Sequence, residues 1–403
     1  PHVHLQMPQG PYRSSDTFSS GTIAAALGGT TTVIDFVEPA QGMRFHHALE
    51  ARCQEADGAV AVDYGLHMTV PAWHADRDEE LENLRDVVAD GVPSFKLYMA
   101  YAELRLDDRQ LYRVMQAIAG AGGLAVVHAE NGPLCDELRA QALSQGHTAP
   151  CYHALTRPPR QEAEATGRAI DIAALAGCPL YIVHVSCRES LERVAAARVR
   201  GDPVAAETCP QYLLLDQSAL SGDSAERMVC APPLRPIEHQ AALWNGLARG
   251  ALDVLATDHC PFMQADKRGH ANFTTIPGGL PSIEARLSLA YTYGRRHGLS
   301  LGRWVDVCCT APARIFGLRQ KGKLAPGYDA DVVVFDPRQS LCLSAGTTLH
   351  EQVDWSPYEG LQVEGRVRDV LSRGRVIVRE SWFVGEPGWG RFTRRGAYPL
   401  TTA

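Results

Sequence analysis

The chain has 403 residues, 45% of them hydrophobic and 21% charged, an ordinary globular composition that excludes a disordered or fibrous protein. No run approaches the roughly 18 consecutive apolar residues of a membrane span, and a net charge of −7 lacks the basic excess of a nucleic-acid binder. Eleven cysteines, an odd number with no Cys-x-x-Cys pair, do not read as a disulfide framework and point to a reducing cytoplasm. Only four of the 39 basic residues are lysines, namely Lys96, Lys267, Lys321 and Lys323.

The chain opens at Pro1 in the middle of a motif, His2–Val3–His4, with no Met and no signal-like segment, and so reads as a fragment whose natural start lies upstream. Strand candidates follow at Thr30–Val37, Ala61–Val70, Ser94–Ala100, Leu124–Glu130, Leu180–Ser186, Val204–Pro210 and Asp253–His259. Between them lie helical patterns such as Arg77–Asp90, Asp107–Gly120 and Gln161–Ala176. This alternation predicts βαβ units and a parallel sheet. Seven strands, with one more expected just before Pro1, make a (β/α)8 TIM barrel over residues 1–315. A doubly wound sheet would carry a Gly-rich phosphate turn after its first strand, and none is present. From Phe316 onward Gly and Asp turns separate short apolar runs. Hairpins are expected at Gly322–Pro337 and Gly365–Ser381, in a small β-sandwich-type domain over 316–403 that draws strands from the upstream segment. The tail beyond Gly385 reads as an arm.

The informative residues are polar groups where apolar strands end. Lys96 follows Ser94–Phe95, His128 ends Leu124–His128, His184 follows Tyr181–Val183, and Asp258 follows Val254–Thr257. In a parallel barrel the carboxyl ends of all strands converge on one face, where active sites are built. His2 and His4, alternate residues of an extended segment, point the same way. Imidazole and carboxylate suit zinc or another first-row divalent ion. Lysine joins such a set only after losing its charge or after conversion by CO2 to a carbamate, and burial in an apolar run favours the reactive neutral amine. A strand-end histidine taken singly is more often a hydrogen-bonded core residue, and His-x-His also occurs in ordinary strands. A buried lysine, however, demands an acidic partner or costs several kcal/mol. Six such residues, each at the end of its own element, favour a metal centre. The other histidines are assigned to surface or packing, with His259 supporting Asp258.

In this order the residues resemble the amidohydrolase superfamily, and local words narrow the resemblance to its dihydropyrimidinase and D-hydantoinase group. These words are PHVHLQMP at 1–8, GGTTTVIDF at 28–36, FKLYMAY at 95–101, VHAEN at 127–131, ETCPQYL at 207–213, PPLR at 232–235, TDHCPF at 257–262 and PYEG at 357–360, spread over essentially the whole chain. The resemblance implies two divalent ions, zinc being expected. His2, His4, Lys96 and Asp258 would hold one, and Lys96, His128 and His184 the other, with a carboxylated Lys96 as the bridge. It implies a hydroxide between the ions as nucleophile, proton transfer by Asp258, and a hydrogen bond from Tyr101 to the developing oxyanion. The activity implied is opening of dihydropyrimidines or 5-substituted hydantoins to N-carbamoyl amino acids, by a homotetramer.

Three positions on the substrate side depart from the pattern. Ala231 stands where relatives usually have Ser, Gly278 where they often have Asn, and Gln9 where Phe or Leu commonly lines the pocket for the exocyclic substituent. These bear on substrate preference and not on hydrolysis. The rival readings are another cyclic amide hydrolase, allantoinase-like, and a non-catalytic assembly protein that has kept the fold and lost metal ligands; all six ligand positions are filled here. A start at Pro1 also predicts a frayed terminus carrying His2 and His4, hence weak metal binding or poor folding of the chain as printed.

Overall fold

The computed structural model describes residues 1–398. A two-residue-per-strand hairpin near the amino terminus, β1 (Pro8–Gln9) and β2 (Tyr12–Arg13), precedes the main sheet. All seven strand candidates then form strands: β3 (Thr32–Val37), β4 (Asp63–Thr69), β5 (Ser94–Tyr98), β6 (Leu124–His128), β7 (Leu180–Ile182), β8 (Val204–Thr208) and β9 (Val254–Leu255). They pair in parallel in sequence order as one curled seven-stranded sheet. Both faces are covered, so β4, β5, β6 and β8 are buried along their whole length, as continuous apolar runs in a parallel sheet require.

The crossover helices follow local rules. Asp107 caps Asp108–Gly120 in a reciprocal bond with Gln110, and Leu111, Val114, Met115 and Ile118 form its buried stripe at helical spacing. Pro159–Ala176 begins with proline in its first turn and stops at Gly177, whose φ of 65° is the left-handed cap that glycine allows. The Arg77–Asp90 pattern is not one helix. It divides into Asp78–Glu82 and Leu84–Ala89, with Asn83 ending one and starting the other.

The seam between β9 and β3 is occupied by Pro1–Leu5, which corrects the expectation of a frayed start. Val3 bridges to His259, His4 N–H donates to the His259 carbonyl (2.8 Å), and Asp258 N–H and Thr257 Oγ1 both donate to the His2 carbonyl (3.0 and 2.9 Å). On the opposite side Leu5 N–H donates to Asp35 Oδ2 (2.8 Å), Ser14 Oγ to the His4 carbonyl (2.7 Å), and His67 Nε2 to the Pro1 carbonyl (2.8 Å).

Beyond the barrel lies one four-stranded antiparallel sheet, β10 (Val332–Cys342), β11 (Gln362–Ser372), β12 (Arg375–Arg379) and β13 (Trp382–Phe383). The Gly365–Ser381 hairpin forms, with Arg373 and Gly374 at its turn both at positive φ (48° and 80°), the twist a two-residue connection needs. The Gly322–Pro337 hairpin does not. Lys321 Nζ holds Asp63, Asp329 and Asp331 at 2.7–3.0 Å, which pins that stretch against the barrel as a loop until β10 begins.

The tail beyond Gly385 is not a free arm. Gly388 and Gly390 N–H groups donate to the Val60 carbonyl, Thr393 N–H donates to the Tyr64 carbonyl, and Tyr64 N–H donates to the Arg391 carbonyl. Arg395, buried, donates to the carbonyls of Leu66 and Phe316. The tail thereby closes the amino end of the barrel, opposite the site. Among the described residues no helix is long and apolar enough to cross a membrane, and the eleven cysteines are unpaired. A Cβ added to Gly390 would sit 1.9 Å from the Val62 carbonyl oxygen. Gly390→Ala is therefore expected to lift the tail, lowering stability to urea by about 1–3 kcal/mol, the range for overpacking, and opening the tail to proteases.

Candidate metal centre and active site

The carboxyl ends of the strands bring together the six residues singled out by their positions. His2 Nε2 lies 3.2 Å from His4 Nε2, and Asp258 Oδ1 lies 3.0 Å from the first and 3.2 Å from the second. His128 Nδ1 and His184 Nε2 face each other at 2.9 Å, and the His2 and His184 ring centroids are 5.6 Å apart. Lys96, on β5, is 1% exposed, with Nζ 5.0 Å from the Phe36 ring centre and 5.1 Å from that of Tyr98. None of its carboxylate neighbours, Asp258, Glu207 or Glu38, comes within ion-pair distance.

Two buried carboxylates fix the imidazoles. Glu207 Oε1 accepts from His2 Nδ1 (2.5 Å), while its other oxygen accepts from Tyr181 OH (2.8 Å). Glu130 accepts from His128 Nε2 (2.9 Å), Arg157 (2.6 Å) and Gln161 (2.8 Å). With those ring nitrogens committed, His2 Nε2 and His128 Nδ1 are the atoms turned toward the centre, the arrangement that orients metal-bound histidines. Asp16 does the same one residue beyond Asp258. It accepts from His259 Nε2 (2.9 Å), whose Nδ1 accepts from the Ser282 and Ile283 amides.

Burial and neighbours set the charge states. Burial lowers the His4 imidazole, and it lowers His128 despite Glu130. Burial together with His128 holds His184 well below its ordinary value, so that all three are neutral donors. Burial opposes the charge on Asp258, yet His2, itself raised by Asp258 and Glu207 against burial, and the hydrogen bond from His4 outweigh it and keep the carboxyl well below the usual range. Burial pulls the Lys96 amine down to about 8.

Backbone strain marks the same place. His184 (φ 39°), Asp258 (φ 51°) and Tyr101 (φ 65°) all adopt the left-handed region, which costs on the order of 1–3 kcal/mol for a non-glycine residue and persists where surrounding structure imposes it. β7 and β9 end before His184 and Asp258, and the turn of each chain there aims the side chain into the mouth. Tyr101 lies over His128, ring centres 5.1 Å apart, with the Arg157 guanidinium 5.9 Å from its ring centre. Burial pushes its phenol well above the ordinary value, so it remains a donor.

The donor set fits divalent cations. Pairs of imidazole nitrogens at 2.9 and 3.2 Å crowd lone pairs with a carboxylate and few protons to share, and a cation relieves that crowding. The positions suspected of substrate contact also meet. A Cβ on Gly278 would come within 3.9 Å of both Cys230 Cα and Gln9 Nε2, and Ala231 follows Cys230. Gln9 Oε1 is buried without a hydrogen-bond partner.

Sequence reading left Glu130, Glu207, Asp16 and Arg157 without roles. A signal existed for Glu130, since His128–Ala129–Glu130 places two titratable groups at alternate positions of one extended segment. Glu207 stands inside the quoted word at 207–213. Asp16 and Arg157 lie in polar stretches with nothing to distinguish them.

The comparisons agree with this geometry. Residues 1–377 match the model of the amidohydrolase family. The chain is 46% identical over 406 residues to a D-hydantoinase of Geobacillus stearothermophilus, covering 99% of this chain and 85% of that protein. It is 45% identical to a D-hydantoinase of Streptomyces coelicolor, covering 100% and 86%. The crystal structure of dihydropyrimidinase from Brevibacillus agri NCHU1002 superposes with a TM-score of 0.97 at 44% identity, covering 100% of this chain and 88% of that one. With barrel, strand-end donors and relatives all in accord, the chain belongs to the amidohydrolase family.

Proposed function

We propose that this protein is a metal-dependent hydrolase of cyclic amides, opening 5-substituted hydantoins or dihydropyrimidines to N-carbamoyl amino acids. The observation that carries this reading is the convergence of His2, His4, Asp258, His128 and His184 around a buried Lys96 that has no counter-charge. His2, His4, Lys96 and Asp258 would hold one cation and Lys96, His128 and His184 a second, with Lys96 carboxylated by CO2 so that one side chain serves both. Two divalent ions held there, zinc being the expected metal, lower the pKa of water toward neutrality and polarise the carbonyl under attack.

The chain's own groups supply the rest. Asp258, whose side chain is 14% exposed against 1% for His2, is the ligand that reaches the mouth. It takes the proton of the attacking water as oxygen adds to the ring carbonyl carbon. It then gives that proton to the ring nitrogen as the amide C–N bond breaks. The Tyr101 hydroxyl donates to the oxygen that gains negative charge. Backbone groups about Ala231 and Gly278 hold the ring. Gln9, with its unpartnered carboxamide oxygen, borders the exocyclic substituent and selects for polarity there. A cytoplasmic homotetramer completes the reading, supported by the unpaired cysteines and the family likeness.

Turnover of 5-phenylhydantoin, dihydrouracil and allantoin tests the reading directly. Action on the first two is expected, and action on allantoin alone overturns it. Metal analysis of the purified protein separates enzyme from scaffold, because a protein inactive and empty after zinc and bicarbonate treatment is not this hydrolase. Asp258→Asn and Tyr101→Phe are each expected to lower kcat about a hundredfold or more. Glu207→Gln leaves His2 in place but removes the anchor of its ring, and is expected to weaken metal affinity by about 10–100-fold in a chelator competition.

A further inference from the structure

The geometry points to Lys267 as a positioning residue that clasps the two loops bearing the substrate contacts, an inference that rests on the proposed hydrolase reading. Lys267 ends the short helix Gln264–Lys267 and is completely buried. Its ammonium makes no ion pair with any carboxylate among the described residues. Instead Nζ donates to three backbone carbonyls, those of Arg227, Val229 and Gly279, each at 2.8 Å. An ammonium has three N–H donors, and all three are used. Trp355 covers the cation, its ring centre 5.7 Å from Nζ, with its own indole N–H donated to the Phe262 carbonyl at 2.9 Å.

The three carbonyls belong to two segments remote in sequence. Arg227 and Val229 lead directly into Cys230–Ala231, and Gly279 directly follows Gly278. One further bond ties the segments, Gly279 N–H to the Val229 carbonyl at 3.0 Å. Gly279 has a φ of 155°, and a Cβ there would lie 2.2 Å from the Cys260 carbonyl oxygen, so its backbone is pressed against the strand end that carries Asp258. Arg227 sits in a single short 3-10 turn, Ala225–Met228, and Leu280 makes one isolated bridge to His259, so neither segment belongs to a sheet ladder that would hold its backbone.

A buried charge held only by main-chain dipoles is a costly way to join two loops unless their relative placement matters. Here it sets the distance between Ala231 and Gly278, the positions flanking the substrate ring, and between both and Gln9. Lys267 touches neither substrate nor ligand residue and acts through the loops. Its loss therefore weakens binding of the ring while leaving Asp258, Tyr101 and the imidazoles in place.

The test compares Lys267→Met, close in shape without the donors, and Lys267→Gln, which keeps two N–H donors, with the parent chain loaded with zinc. The expected result for Lys267→Met is KM for 5-phenylhydantoin raised about tenfold with kcat within about threefold, the signature of lost ground-state and transition-state binding alike. Metal content is expected to stay unchanged and Lys267→Gln to fall between. The Gly279 amide reports on the clasp without any substrate. Its hydrogen exchange is expected to quicken about tenfold or more in both variants while amides of Leu124–His128 keep the parent rate. Unchanged Gly279 exchange, an unchanged KM, a kcat loss without a KM rise, or faster exchange throughout the barrel each overturn the assignment. If Lys267→Met does not fold, Lys267→Gln decides by the same readings. Should the parent chain leave hydantoins intact, the hydrolase reading fails while the exchange measurement still decides the clasp.

Discussion

Burying a lysine amine costs several kcal/mol unless its charge is compensated, and three of the four lysines here are buried. Lys321 is surrounded by Asp63, Asp329 and Asp331, a conventional solution that ties the loop before β10 to the barrel floor. Lys267 spends all three donors on carbonyls. Lys96 has neither, only the faces of Phe36 and Tyr98 at about the limit of useful cation–π contact. The apolar strand that makes its ammonium unfavourable also favours the neutral amine, and the carboxylate proposed there would give the surrounding imidazoles a common partner. In that reading the chemistry of the mouth depends on that one uncompensated position.

The imidazoles are held as firmly as the lysine is left free. Glu207 and Glu130 are themselves buried and satisfied, by Tyr181 in one case and by Arg157 and Gln161 in the other. His2 and His128 then each have one nitrogen committed and one facing inward. The left-handed backbone at His184 and Asp258 serves the same end, because a strand continuing in extended conformation would carry those side chains past the centre. Asp258 is held there by its N–H bond to the His2 carbonyl and His184 by its N–H bond to Glu207 Oε1, while the hydrogen bonds of Pro1–Leu5 to the strands on either side make the first residues of the chain a built part of the barrel.

Charge compensation also separates the two halves of the site. In the proposed reading the metal-facing half is the one fixed by Glu207 and Glu130 at strand ends. In the same reading the substrate-facing half is made of Gly278 and Ala231, which offer little but backbone, and of Gln9 on β1, which brings a polar group beside them. Such a division lets substrate preference change by loop substitution while the hydrolytic groups stay put, the general habit of barrels with sites at the carboxyl ends of their strands.

Much of this was legible in the sequence because short-range chemistry decides it. Apolar runs four to seven residues long cannot be other than buried strands when helices of regular period separate them, and all seven were in place within a few residues. Polar residues at or near the carboxyl ends of such runs converge on the barrel mouth, which is why Lys96, His128, His184 and Asp258 could be picked out as a set and found together. The paired imidazoles of His2 and His4 followed from the two-residue repeat of an extended chain. Local pattern misled where long-range contact took over. The turn-rich stretch at Gly322–Pro337 lies as a loop because a lysine draws its aspartates to the barrel, the Gly/Arg tail is held by carbonyls of β4 and its flank, and Pro1–Leu5 is ordered by partners more than two hundred residues away. The sequence by itself determined which residues would line the mouth; only the tertiary structure decided which carboxylates orient them and which lysine joins the substrate loops. The reason is that side-chain periodicity is a property of neighbours along the chain, whereas a hydrogen bond between Glu207 and His2, or between Lys267 and Gly279, exists only once distant segments have been packed side by side.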